Sequence, residues 1–600
     1  MRPSRGQLGL FLSLFCASLL QGADPEPGKY KLLVARGLDT DLVVCILKLE
    51  QSGDAWTATM VGRNTALGRV TVGDAKMVEG FLRIAMNISD EDVQFEGAVS
   101  KDRKSVVGSC GNDQRLVVAS LVQTDEEVVV RERMNVPRDL PPLLKELVRL
   151  EIERAKLQEL LNKSAINDDR TRVANELDDV RKKISQERPK VFAKLLTEFA
   201  DHPAACEAGI GLLRDCCCDE SAAGDLQSWT NATLTCAARL GPRYRRRVLL
   251  SALDYIAQNP KATALALELA ERIDRELLGT ETPAIQSRIL TAWVELLRSA
   301  GQADKATEIA ERLAKIESKL DDEYRGRLPK ISVTPFGKRK DKANCVALFE
   351  MFIGAEGQSG VAAGLAFDKL FESFRPVEAI AIQYHLHAPM PDALANTLCE
   401  QRFEYYAQKY PRDTDVVPAS FVNGRPCGCG GGKLYEARDK LKEYCYGITP
   451  LVNAETPVKL SAKAKRTGDQ VEVEVKAEGI PSDSRERKMR LRMALVEDQV
   501  RYPGGNGLRF HRNVVRTMPG GTKGIELTTD SVTKKETINL SDLRKSLTKE
   551  LNKLSANGTP LPGPYRPMEF KTLKLVAWVQ SDADRAIWQA VQADVNLALP

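Results

Sequence analysis

Four stretches of the chain decide its fold: CVALFEMFIG (345–354), AEGQSGVAAGLAFDKLFESF (355–374), VEAIAIQYHLH (377–387) and VVPASFVNGRPCGCGGGK (416–433). Val346 to Phe352 and Ala379 to Ile382 are almost continuously apolar, the pattern of strands covered on both faces. Between them Leu365, Phe367, Leu370, Phe371 and Phe374 form one apolar face at helical spacing. A second helix is predicted from about Pro391 to Tyr410. A strand at VVPASFVNG follows, and a closing helix at LYEARDKLKEYC. The period alternates strand, helix, strand, helix, strand, helix, which defines an α/β domain over 342–449.

Upstream, from Pro189 to about Arg327, the chain reads as helical throughout, with breaks at HP, GDL, LGPR, NPK, GTETP and AGQ. The segment TAWVELLRSAGQADKATEIAERLAKIE places Trp293, Leu296, Leu297, Gly301 and Ala306 at spacings that resemble one tetratricopeptide hairpin. One such hairpin cannot bury its own apolar face, so the neighbouring helices are expected to stack with it as an array over 189–327. Cys206, Cys236 and the run Cys216, Cys217, Cys218 fall in this array. Successive helical residues point in different directions, so the three adjacent thiols cannot ligate one ion. His202 and Cys206 share a face, but packing or a disulfide explains them without a metal.

Before the array, Leu143, Leu147, Leu150, Leu157 and Leu161 keep an a/d-like spacing interrupted by Arg154. Over 140–188 this supports an antiparallel hairpin better than a coiled coil, which needs a longer repeat. From Tyr30 to about Glu132 short apolar runs alternate with SGD, NIS, DRK and GND turns, an antiparallel sandwich or small barrel at 28–135. Cys45 and Cys110 lie on or beside these strands as a bridge or as two buried thiols. Beyond the α/β domain, strict alternation such as Val471, Val473 and Val475 predicts a C-terminal β-sandwich over 450–600 with a helical insert at SDLRKSLTKELNKL.

The chain starts with Arg2, Arg5 and an apolar run from Leu8 to Leu20, followed by Gly22 and Ala23. That is a secretory signal peptide over 1–23, because the run is shorter than the ~20 residues a bilayer needs. No later run is long enough to span one. A secreted or periplasmic location follows, and removing the two arginines takes the net charge from +5 to +3. So small and dispersed a charge argues against nucleic acid. Of 13 cysteines, Cys16 leaves with the leader, and the remaining even number permits disulfides without fixing a pairing.

LFEMFIGAEGQSGVAAGLAFDKL, YHLH and VVPASFVNG resemble the secreted bacterial thioredoxin-like proteins in which Leu-Phe-Thr precedes a Cys-x-x-Cys motif. The resemblance covers about 100 of the 600 residues. It implies a thioredoxin-like fold in which Gly357 and Gly360 occupy the two cysteine positions, and Pro418 is the proline that is cis in such folds. Glycine offers neither nucleophile nor leaving group, so ordinary thioredoxin chemistry is excluded at these positions. Pro418 either shapes a surviving peptide groove, with Gly357, Gly360, His385 and His387 around it, or only maintains the fold. RFHRNVVRTMPGG resembles a β domain that follows the thioredoxin unit in some of these proteins.

The fold class expected is thus multidomain α+β: an antiparallel β domain, a tetratricopeptide-like helical array, a thioredoxin-like domain and a β-sandwich. The functional expectation is a binding or scaffold protein of the cell envelope whose partners are other proteins or peptides, with no cofactor and no metal. The alternative is a thiol-disulfide oxidoreductase in which Cys427 and Cys429 form a displaced redox pair, against the plainer reading of two incidental thiols in a glycine-rich loop.

Overall fold

The computed structural model describes residues 24–597 apart from 37–38, 113–114, 132–133, 139–140, 164–167, 218–222, 557–560 and 563–564. Residues 1–23, on which the expected signal peptide and Cys16 fall, and Cys218 lie outside the described residues. The chain divides into two compact units, Met1–Glu281 and Thr282–Pro600.

In the first unit, short alternating segments form eight antiparallel strands: β1 (Gly28–Ala35), β2 (Thr40–Ser52), β3 (Ala55–Arg63), β4 (Val70–Val78), β5 (Phe81–Ile88), β6 (Glu91–Val99), β7 (Ser105–Gly111) and β8 (Leu116–Gln123). Each pairs with its neighbour in sequence, and β8 returns to β1, closing a barrel; β9 (Asn135–Pro137) adds to β2. Closure removes the exposed edges that a sandwich would keep. The inward residues, among them Tyr30, Leu47, Leu82, Ile84 and Phe95, make one core. Cys45 and Cys110 lie in it as free thiols, each pushed up to about 12 by burial.

Helices α1 (Lys145–Lys163) and α2 (Asp168–Glu198) pack against each other as the expected hairpin. Pro189, which the sequence suggests as a break, sits inside α2. The turn after it is held by Phe192, Leu195 and Leu196, all buried, and their packing outweighs the lost backbone hydrogen bond. Helices α3 (Pro203–Asp215), α4 (Ala223–Arg239), α5 (Pro242–Ile256) and α6 (Thr263–Glu276) complete this unit. His202 is the N-cap of α3 and accepts from the Ala204 N–H at 3.1 Å, which accounts for it without a metal.

The second unit opens with the helix pair α7 (Pro283–Ser299) and α8 (Ala303–Arg327), so the boundary between the units cuts the helical run 189–327. Among the described residues, no helix is long and apolar enough to cross a membrane. The sheet of this unit begins with β10 (Ala347–Ile353), β11 (Ala379–His385), β12 (Ala419–Val422) and β13 (Arg425–Cys429), in the order β13-β12-β10-β11. β11 runs parallel to β10, as a right-handed crossover through α9 (Val361–Ser373) allows, and β12 runs antiparallel on its other side. α10 (Thr397–Ala407) and α11 (Ala437–Val452) complete this α/β part.

The strands expected to form a separate sandwich instead continue the same sheet. They are β14 (Lys459–Thr467), β15 (Gln470–Glu478), β16 (Met489–Arg501), β17 (Phe510–Thr517), β18 (Ile525–Glu526), β19 (Ser531–Asn539), β20 (Leu573–Ser581) and β21 (Ile587–Leu597). β17 pairs in parallel with β11, making a 12-stranded mixed sheet ordered β13-β12-β10-β11-β17-β16-β20-β21-β14-β15-β19, with β18 on β16. Its far end folds back, since Val471, Val473 and Val475 share one core with Met493, Leu495 and Ala577 and with Leu547 and Leu551 of α12 (Leu540–Ala556). β11 thus has a hydrogen-bonded neighbour on each edge, β10 on one and β17 on the other.

Candidate functional site

The site is built on the turn from β10 into α9. Gly357 (φ −89°, ψ 112°) lies at its middle and Gly360 (φ −80°, ψ −8°) at its end, both in conformations open to any residue. No thiol stands on the turn. The Val417–Pro418 bond is cis, and so is Ala388–Pro389, whose Pro389 ring lies beside Gly357. Met390 and Val416, next to these prolines, are exposed.

Two glycine-rich segments lie against the turn. On one side the Gly432 N–H donates to the Ser359 carbonyl at 2.7 Å, and the Ala362 N–H to the Gly432 carbonyl at 3.1 Å. A Cβ on Gly431 would come within 1.6 Å of the Ser359 carbonyl oxygen, so only glycine permits this approach. On the other side the Asn506 N–H donates to the Ala355 carbonyl at 3.1 Å, and Gln358 Nε2 donates to the Gly505 carbonyl.

Glu356, inside the turn, accepts from the Tyr502 hydroxyl at 3.0 Å and from the Gly505 N–H at 2.9 Å. Burial pushes its carboxyl up, and the like charge of Asp392 adds to this, against the pull of the two hydrogen bonds. Tyr502 is raised well above the ordinary phenol range by burial and by Glu356.

Glu356 faces an open cleft of about 610 Å³. Ala284, Thr291 and Val294 of α7 and Ala310 and Leu313 of α8 form one wall; Tyr502, Pro503 and Tyr565 form the other. The walls are fixed by buried charge. Arg509 donates to Asp321 at 3.0 Å and also binds Glu317; Arg501 binds both acids, and Ser287 hydrogen-bonds Glu317. Glu317, Asp321 and Arg509 are all less than 9% exposed, so breaking this set strands a buried charge. The volume lies within the range of ligand-binding clefts, roughly 300–1,000 Å³.

Of the two histidines expected to line a groove, His387 is half-buried and His385 is withdrawn from the surface. His385 is fully buried: its Nδ1 is 2.8 Å from Asp392 Oδ2, its Nε2 is 3.3 Å from Gln383 Oε1, and the His511 ring meets it edge-on at 5.0 Å. Asp392 also accepts from the Ala355 and Leu394 N–H groups at 2.7 Å each, while its own N–H donates to His387 Nδ1 at 3.2 Å. Burial alone would raise the Asp392 carboxyl, but His385 and these donors hold it below the ordinary range. Burial and then His385 press His511 down to about 3. The Asp392 carboxylate thus ties His385 to the turn through the Ala355 N–H, which leaves His385 a positioning role behind it.

Cys427 and Cys429 are both free. Gly428 between them takes φ 81° and interrupts the strand alternation, so one thiol is buried against Gly447 and the other exposed. Burial, then Glu443, pushes Cys427 up to about 11. A thiol in that state is a poor nucleophile.

Glu356, Asp392, Tyr502 and Tyr565 are the site residues that sequence reasoning missed. Glu356 carried a signal, since it directly precedes Gly357, already singled out in the sequence. The other three come from segments far apart in sequence and had none.

No protein-family profile and no curated protein matches the chain. Among solved structures, HBP35 of Porphyromonas gingivalis is 14% identical and covers 43% of this chain and 77% of its own, with a TM-score of 0.29. A structural-genomics target from Agrobacterium tumefaciens is 13% identical over 42% of this chain and 93% of its own, with a TM-score of 0.24. A Podosopora anserina protein of nearly identical TPR-like repeats is 14% identical over 30% of this chain and 92% of its own, with a TM-score of 0.20.

Proposed function

We propose that the chain is a noncatalytic binding or scaffold protein of the secreted or periplasmic space, in which a thioredoxin-like α/β part has kept its frame and lost its redox centre. Its ligands are other proteins or peptides. The observation that carries this reading is the turn at 354–360: Gly357 and Gly360 supply no sulfur, and Glu356, directly before Gly357, lines a mostly apolar cleft. The order β13-β12-β10-β11 with helices following β10, β11 and β13 supports the thioredoxin-like part. The close packing of α7 on α8 supports a tetratricopeptide-like hairpin. Against the rival oxidoreductase stands Cys427, whose thiolate fraction at pH 7 is on the order of 10⁻⁴ for a thiol held near 11.

A test combines two measurements on the mature protein. Selection of a random peptide library is expected to yield binders that compete with one another and are lost in Ala310→Trp, which fills the cleft. Thiol-disulfide exchange with glutathione and insulin is expected to stay at the uncatalysed rate. Catalysed exchange that disappears in Cys429→Ser, or a library that yields nothing, overturns the proposal.

A further inference from the structure

A second cavity, of about 210 Å³, shares no residue with the cleft. Phe349 of β10, Leu370 and Phe371 of α9, Phe374 at the end of α9 and Ile448 of α11 give it an apolar lining. The charged side chains in its wall are Arg512 of β17 and Lys574 of β20, both cations, and Gln592 of β21 adds an amide. Among the described residues, no carboxylate stands in that wall.

The donors of these three side chains are under-used. Arg512 lays its guanidinium 4.1 Å from the centre of the Phe371 ring; its Nε is buried without a hydrogen-bond partner, and its Nη2 stands 3.7 Å from Asp498 Oδ1, beyond hydrogen-bond reach. Lys574 gives one N–H to the same Asp498 oxygen at 2.6 Å, which leaves two. The Gln592 side chain enters no hydrogen bond among the described residues. One acid outside the wall thus serves both cations. Asp368, whose field also reaches Arg512, keeps its proton up to about 7 because of burial, and Asp594, across the ladder from Lys574, is exposed. Buried donors without acceptors are costly, and native interiors rarely leave them so.

The acceptor that fits is a carboxylate, whose two oxygens can meet a guanidinium edge and an ammonium together. A bare inorganic anion gains nothing from the phenylalanine wall, so the same molecule carries hydrocarbon. A cavity of roughly 150 Å³ lined by Leu, Ile and Phe holds benzene, so this one has room for a single ring or short chain beside its charged head. We infer that the cavity binds a small monocarboxylate with a compact apolar tail, its carboxylate between Arg512 and Lys574 and its tail against Phe371 and Phe374. The chemistry is shared by a free arylacetate and by the C-terminal residue of a peptide ending in phenylalanine. The inference goes beyond the peptide reading of the cleft and stands on none of its residues.

Titration calorimetry on the full mature chain uses phenylacetate, phenylacetamide and acetyl-Gly-Phe with a free C-terminal carboxylate. Phenylacetate is expected to bind about tenfold or more tightly than the amide, and to weaken as salt rises. Arg512→Met is expected to lose that binding, Lys574→Gln to weaken it several-fold, and Ala379→Leu, which fills the cavity, to abolish it without touching either cation. Tighter binding of acetyl-Gly-Phe assigns the carboxylate to a peptide terminus and tighter binding of phenylacetate to a free acid; either supports the inference. If the amide binds as well as the acid, the carboxylate assignment is wrong. If neither acid binds, or if Lys574→Gln and Ala379→Leu both bind like the unaltered chain, the inference is overturned.

Discussion

Placing sulfur on it is the sharpest probe of the turn at 354–360. The double substitution Gly357→Cys with Gly360→Cys requires no left-handed backbone, because both glycines have negative φ. A Cβ at 357 would sit 3.1 Å from Pro389 Cδ, and one at 360 would sit 3.3 Å from Ile353 Cδ1. Each neighbour must yield by a few tenths of an ångström, which places the cost at the low end of the ~1–3 kcal/mol typical of overpacking. The turn leads straight into α9, so a thiolate there gains roughly 1 kcal/mol from the helix N-terminus, close to the 1.36 kcal/mol that gives a tenfold change in ionisation. The first new thiol is therefore expected to alkylate about three to ten times faster than the exposed Cys429, which serves as an internal standard. Equilibrated with glutathione and mapped by mass spectrometry, the pair should close a disulfide at a potential between about −270 and −120 mV, the span of Cys-x-x-Cys proteins. Two thiols that alkylate no faster than Cys429 and never join would refute the equivalence of Gly357 and Gly360 with a redox pair.

Three further outcomes are expected. Arg402 donates to Glu350 at 3.0 and 2.9 Å with both side chains fully buried, so Arg402→Met should cost ~3–5 kcal/mol in urea unfolding by leaving a buried charge unpaired; a loss below ~1 kcal/mol would show that the pair carries little. Gly431→Ala should destabilise by about 2–3 kcal/mol, because the new methyl meets a backbone oxygen that cannot swing aside, and an unchanged unfolding midpoint would contradict the contact. Asp368 on α9 keeps its proton up to about 7, since burial outweighs Arg512 and Lys369. Unfolded, it releases that proton near 4, so the folded chain binds more protons in between, and stability falls as pH rises from about 4 to 7. Urea midpoints from pH 5 to 7 should decline less steeply in Asp368→Asn; equal slopes would remove Asp368 as their source.

What the sequence disclosed was local. β10 is buried at every position because a run such as Val346 to Phe352 has no polar face to turn outward apart from Glu350, and Glu350 is met by Arg402. The helical face of α9 and the alternation of β15 were equally plain. What stayed hidden depends on pairs distant in the chain. β11 meets β17 through Gln383 and Val514, and nothing around either residue records the other. Pro189 misled because a missing N–H is a local loss, whereas the burial of Leu195 and Leu196 that offsets it is tertiary. His385 reads as a groove-lining histidine because strand alternation says nothing of Asp392, which lies beyond the strand and holds its ring in the interior. Glu356 alone was within reach, one position from a residue already singled out.

The shared sheet bears on how such a chain can be cut and recombined. A fragment ending near 452 would keep every element of the α/β part, yet strip the outer edge of β11 and the Trp578 and Ile587 side chains that pack with Tyr384 in one core. It would also lose Gln580, which accepts from Arg402 at 2.9 Å. Such a piece presents an open apolar strand edge, the usual seed of aggregation. Recombination could not shuttle this α/β part between genes as a free-standing cassette; it travels with the strands after 450 or not at all, and any shortened version meant to fold should start near Thr282 and run to Leu597.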